Sequence, residues 1–141
     1  MATLEVTIDA IIHATEDHEK FYESLNEMFG LEKGQFSTSG VTGHFDNPIT
    51  TIRAKITKKM ALQVLGKFLK KLSREQLNQI LSEIEERTEN STLHVRLGKQ
   101  DFIQGKITFN EKEAIKLKIH TPVYNKKDTV KVFRDILQKD T

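Results

Sequence analysis

Apolar residues recur at alternate positions near the start of the chain. Leu4, Val6, Ile8 and Ile12 share one side of an extended segment, with Glu5, Thr7 and Asp9 on the other. That period of two predicts a half-buried strand. The spacing then widens to three and four, placing Phe21, Leu25, Met28 and Phe29 on one helical stripe. Thr15 is the expected helix cap, Glu16 and Asp17 suit the positive end of the dipole, and Gly30 is the expected stop. Residues 35–45 and 49–57 predict two strands joined through Asp46-Asn47-Pro48, where proline fixes φ and pushes Asn47 towards extended geometry. In the second of these strands Ile52, Ala54 and Ile56 share one face, and Thr51, Arg53 and Lys55 the other.

The stretch KKMALQVLGKFLKKL is the clearest helix, with a stripe of Met60, Ala61, Val64, Leu65, Phe68 and Leu72. Ser73 and Gln76 have the spacing of a capping box, so a second helix restarts there with Leu77, Ile80, Leu81 and Ile84 inward. TENS is a turn, and Leu93, Val95 and Leu97 then alternate with His94 and Arg96 as a strand. GKQD breaks that strand, and a short one is expected near Ile107 and Phe109. Ile115, Leu117 and Ile119 alternate with Lys116, Lys118 and His120 in the last strand, and Val130, Phe133, Ile136 and Leu137 mark a closing helix. The predicted order is β-α-β-β-α-α-β-β-β-α. Strands in runs, without strict βαβα alternation, predict an α+β fold: a largely antiparallel mixed sheet with helices packed on one face. A single layer of helices leaves the other sheet face open to solvent or a ligand.

A chain of 141 residues with 37% hydrophobic and 30% charged residues is long enough for one domain, spanning 1–141, with a real core. The absence of cysteine excludes disulfides, thiol nucleophiles and thiolate metal sites. No apolar run reaches membrane-spanning length and the first residues lack a signal-peptide pattern, so a cytoplasmic location is expected. The net charge of +2 hides an asymmetry. Residues 1–57 hold nine acids and four bases, whereas residues 58–141 hold eleven acids and eighteen bases. Such segregation points towards a nucleic acid or another anionic surface.

Two groups of cations carry that expectation. Lys59, Gln63, Lys67, Lys70 and Arg74 fall within a narrow arc of the helix that starts at Lys58, opposite its apolar stripe. Arg53 and Lys55, His94 and Arg96, and Lys116, Lys118 and His120 occupy the outward phase of three strands, with Lys99 at the edge of that face. Exposed lysines also serve solubility and edge protection, which is the plainer reading of each one alone. Phe45, Phe102 and Tyr124 sit beside loops or strand ends, where splayed bases would reach them, although core packing is the plainer role for Phe45. No RNP-type aromatic motif occurs, so backbone and shape recognition fits better than sequence reading. The histidines match no HExxH or similar metal spacing, and no phosphate loop, dinucleotide turn or nucleophile elbow is present. No catalytic residue, metal site or cofactor is assigned.

Three stretches, HATEDHEKF (13–21), GHFDNPITTIRAKI (43–56) and HVRLGKQDFIQGKI (94–107), together resemble the archaeal RNA-binding proteins described as predicted exosome subunits. The resemblance spans nearly the whole chain and rests on His13, Thr15, Glu16 and Asp17; on Gly43, His44, Asn47 and Pro48; and on Arg96, Lys99 and Gln100. It implies a fold like that of double-stranded-RNA-binding domains, and RNA binding linked to archaeal RNA processing without catalysis. Asp46 stands where that family tends to have glycine, and Gly98 where it has aspartate. His13 and His44 are expected to hold one edge of the sheet together. The partners expected are a structured RNA, an RNA-processing complex and a homodimeric copy. The competing expectation is a scaffold subunit that dimerises through the open sheet face or an edge strand.

Overall fold

The computed structural model describes residues 4–42, 48–123 and 125–138. Its elements run β1 (Glu5–His13), α1 (His18–Phe29), β2 (Ser37–Thr42), β3 (Pro48–Thr57), α2 (Lys58–Lys71), α3 (Arg74–Ser82), α4 (Ile84–Arg87), β4 (Thr88–Glu89), β5 (Thr92–Gly98), α5 (Lys99–Phe102), β6 (Ala114–His120) and α6 (Thr129–Gln138). The strands form one open, largely antiparallel sheet in the order β2-β3-β1-β6-β5-β4. The architecture is therefore α+β, as the hydrophobic pattern predicts.

Alternation decides which side of each strand is buried. Val6, Ile8, Ala10 and Ile12 are buried in β1, Ile52, Ala54 and Ile56 in β3, Leu93, Val95 and Leu97 in β5, and Ile115, Leu117 and Ile119 in β6. β2 and β3 pair antiparallel from Ser37 opposite Arg53 to Thr42 opposite Pro48. The connecting corner, with Gly43, His44, Phe45 and Asn47, lies outside the described residues, as does Tyr124.

The chain folds into two compact units. One comprises Thr7–Lys55 and Arg96–Leu117. Within it α1 buries Phe21, Ser24, Leu25, Met28 and Phe29 and ends at Gly30, whose φ of 72° closes the helix in the left-handed conformation that glycine adopts without strain. Its cap is Asp17, which accepts the Lys20 amide; Thr15 is exposed and does not cap. The aspartate is one residue before the helix, the position from which a short acceptor reaches the free amides. Phe102 is fully buried, with ring centroids 6.3 Å from Phe21 and 5.4 Å from Phe29. It is a core residue and is not available to stack on a base. The GKQD segment does not simply break β5: its last three residues begin the one-turn α5. The strand expected near Ile107 and Phe109 reduces to a single bridge, Leu97 to Phe109.

The other unit comprises the described residues up to Val6, Ile56–Val95 and those from Lys118 on. α2 buries Ala61, Val64, Leu65, Phe68 and Leu69. Met60 is 42% exposed and lies outside this stripe. α2 ends at Leu72, whose extended backbone interrupts the helix, and the Ser73–Gln76 capping box restarts it as α3. Arg74 therefore opens α3 and does not continue the row of α2. The TENS segment forms a tight hairpin, β4 to β5, with Asn90 and Ser91 both at positive φ (51° and 62°). α4 and α6 pack together, and Phe133 and Leu137 fill the buried side of α6.

Candidate nucleic-acid interface

In the first unit, most of the cations expected to line an open face have acquired carboxylate partners. Arg53 is exposed, but its guanidinium pairs with the nearly buried Asp9 of β1, which raises the arginine pKa through the hydrogen bond and the charge. Arg96 lies 3.5 Å from Glu111. Lys55 and Lys116 are exposed. Lys118, in the second unit, is only partly so.

Lys99 departs furthest from expectation. It is 3% exposed and lies inside the fold, so it is no surface contact. Its ammonium donates to the Ile11 carbonyl at 2.7 Å and to Glu16 Oε1 at 2.8 Å, with Glu113 Oε2 3.4 Å away. Gln100 Nε2 donates to the other Glu16 oxygen at 3.2 Å. The His13 amide donates to Glu16 Oε1 at 2.8 Å, and the Glu16 amide returns to the His13 carbonyl at 3.0 Å. Burial alone would raise the Glu16 carboxyl, but the His13 amide and the Lys99 ammonium outweigh it and hold the pKa below 4.5. The first and third motif stretches thus meet, and they meet as a structural knot.

His13, Glu16 and Glu113 bring three ligand-type atoms within 4.8 Å of one another. That spacing suits a cation, and the Lys99 ammonium already supplies one there. His13 Nε2 also stands 3.4 Å from Glu113 Oε2. Beside the knot, a Cβ on Gly98 would fall 2.5 Å from Thr108 Oγ1 and 3.5 Å from Asp101 Oδ2. Thr108 donates to Asp101 at 2.8 Å, so a carboxylate remains next to position 98 although residue 98 is glycine.

The second unit contrasts with this. α2 carries five lysines (Lys58, Lys59, Lys67, Lys70 and Lys71) and no acidic residue. All five are exposed, and none forms an ion pair with a described residue. Lys70 lies eleven positions after Lys59, roughly 16 Å along the axis. Arg74 is exposed at the start of α3. Sequence reasoning overlooked Lys58 and Lys71, which flank the arc it used. It also overlooked the exposed Lys126, Lys127, Lys131 and Arg134 around α6. Lys127, Lys131 and Arg134 recur at intervals of four and three, a helical spacing that could have singled them out. Unpaired ammonium groups on a regular helix can neutralise a run of phosphates, whereas cations already held by carboxylates have less to offer.

Comparison with known proteins identifies a family. A family model described as RNA binding matches residues 5–121. An RNA-binding protein of Pyrococcus abyssi is 30% identical over 94% of this chain and 92% of its own length. An uncharacterised protein of Methanocaldococcus jannaschii is 28% identical over 89% of this chain and 91% of its own. The solved structure of a DUF54 protein from Methanothermobacter thermautotrophicus superposes with a TM-score of 0.76, at 27% identity, over 98% of this chain and all of that one. With its match running from β1 through β6, this chain belongs to the RNA-binding family.

Proposed function

We propose that the protein binds structured RNA through its phosphate backbone, without catalysing a reaction, and uses α2 as the principal contact. The observation that carries this reading is the set of five lysines on α2 with no acid in the helix and no ion pair to a described residue. Lys59, Lys67 and Lys70 form the centre of the contact, with Arg74 of α3 extending it and Lys55 and Lys116 as secondary cations. The His13–Glu16–Lys99 knot serves stability: its acid and base groups are tied to one another. The three motif stretches are the ground for placing this binding in archaeal RNA processing, as an exosome-associated subunit in the cytoplasm with a fold related to double-stranded-RNA-binding domains. A filter-binding titration against a hairpin RNA at low salt tests the core of it. Binding should weaken roughly 150- to 500-fold between about 50 and 200 mM salt if four or five phosphates are neutralised. Absence of affinity for any RNA at low salt would refute the proposal.

One observation favours a second reading, a protein-interaction subunit. β2 stands at an edge of the sheet, and Ser37–Thr42 carries no charged residue and no proline to guard it. A second copy pairing along β2 would make a homodimer. Sedimentation of the protein alone, with Thr38→Lys as the control, separates this from RNA binding: only edge pairing predicts a dimer that the lysine abolishes.

A further inference from the structure

The outer surface of α2 is built from two neighbouring rows of residues four apart, the spacing that brings side chains together on a helix. One row begins at Lys58 and ends at Lys70, with Leu62 and Gly66 between them. The other begins at Lys59 and ends at Lys71, enclosing Gln63 and Lys67. Lysines therefore close both rows at both ends, and three of the four middle positions, Leu62, Gln63 and Gly66, are uncharged. Leu62 is 56% exposed, and only Met60, on another side of the helix, and Ile11 join it as exposed large hydrophobics among the described residues. Gly66, partly exposed, lies mid-helix between Leu62 and Lys70 in its row, where any other residue except proline would favour the helix more. Gln63 is exposed, and its amide has no hydrogen-bond partner among the described residues.

These features have a common explanation. A glycine on the outer side of a helix lets another molecule approach the backbone closely. An exposed leucine beside it offers an apolar contact that phosphate binding does not require. A glutamine amide both donates and accepts, as a ribose 2′-hydroxyl does. We propose that Leu62, Gln63 and Gly66 form a contact site for the ribose and base surface of an RNA whose phosphates are held by the flanking lysines. The inference rests on the reading of α2 as an RNA-binding element and deepens it. Phosphate contacts position the nucleic acid, and the central contact distinguishes RNA from DNA.

The full-length protein and its Leu62→Ser, Gln63→Ala and Gly66→Leu variants should be titrated with a single-stranded RNA, a hairpin RNA and DNA of the same sequence, across a range of salt. Each variant is expected to bind RNA roughly 3- to 10-fold more weakly at every salt concentration, the effect of removing a single interaction. The slope of log affinity against log salt should stay unchanged, because no charge has been removed. Gln63→Ala should also narrow the preference for RNA over DNA. The single-stranded and hairpin arms report which form offers its ribose face. Gly66 is partly exposed, so Gly66→Leu counts as evidence on binding only where its melting temperature matches that of the unaltered protein, and Gln63→Ala, at an exposed position, carries the test independently. Unaltered affinity in all three variants, with Lys67→Glu/Lys70→Glu still defective, would overturn the inference and leave the proposed function standing. No RNA binding by the unaltered protein would overturn both. A Leu62→Ser change in oligomeric state with RNA affinity intact would assign the patch to a protein contact instead.

Discussion

The ammonium of Lys99, at the start of α5, lies 2.8 Å from Glu16 Oε1 in the turn after β1, a residue 83 positions away in sequence. This pair joins two stretches that sequence alone shows as separate motifs. It also explains how a lysine with 3% exposure is tolerated: two carboxylates and a carbonyl surround its charge.

Removing either partner should destabilise the fold, and unequally. Glu16→Ala leaves a buried ammonium with only the Ile11 carbonyl and the exposed Glu113, and should lower unfolding free energy by about 3 kcal/mol. Lys99→Met leaves a carboxylate that water still reaches, so a loss of about 1–3 kcal/mol is expected. Urea unfolding followed by circular dichroism measures both. Lys99→Met that folds should keep its RNA affinity, since the side chain does not reach the surface; a selective loss of affinity would return Lys99 to the interface.

Acid should loosen the same knot. The Glu16 pKa is held below its ordinary 4.5 in the folded state. Its contribution to stability is therefore fully present above that value and is lost as pH falls through the lower folded pKa. Urea midpoints measured from pH 7 down to about pH 3 should fall in this window, and Glu16→Gln should flatten that part of the profile. An identical profile in the glutamine variant would remove Glu16 from the explanation.

Charge reversal on α2 should separate binding from stability. Lys67 and Lys70 are exposed and form no ion pair with a described residue, so Lys67→Glu/Lys70→Glu should change stability by no more than about 0.5 kcal/mol per site. The magnitude of the salt slope of RNA binding should fall by about 2, one for each phosphate no longer neutralised. Equal losses from reversing the carboxylate-paired Arg53 and Arg96 would show that α2 holds no special position.

Gly98 should resist even the smallest side chain. Gly98→Ala drives a methyl to within 2.5 Å of Thr108 Oγ1 and must displace the hydroxyl that donates to Asp101. A loss of about 1–3 kcal/mol is expected from overpacking. Thr108→Ser in the same chain, which keeps the hydroxyl but frees its rotation, should recover part of it in thermal melts. No change in melting temperature on Gly98→Ala would mean the site relaxes freely.

Burial phase was legible along the strands because alternation is a local property: Ile52, Ala54 and Ile56 could be assigned inward from their own neighbours alone. The caps and stops written in short-range chemistry, Gly30 and Ser73 with Gln76, were legible for the same reason. Thr15 misled because two nearby acceptors compete at a helix start, and only the path of the chain selects Asp17. Phe102 misled because a one-turn helix after β5 swings it between Phe21 and Phe29, 81 and 73 positions earlier in the chain.

The sequence by itself determined the α+β class, the inward face of each long strand, and the lysine-rich helix without acids, since all three follow from spacing within single segments. Tertiary structure decided which cations stay unpaired. Asp9 reaches Arg53 across 44 residues and Glu16 reaches Lys99 across 83, whereas nothing among the described residues pairs with the lysines of α2. An ion pair forms or fails according to distances of a few ångströms, and only the folded chain sets those distances.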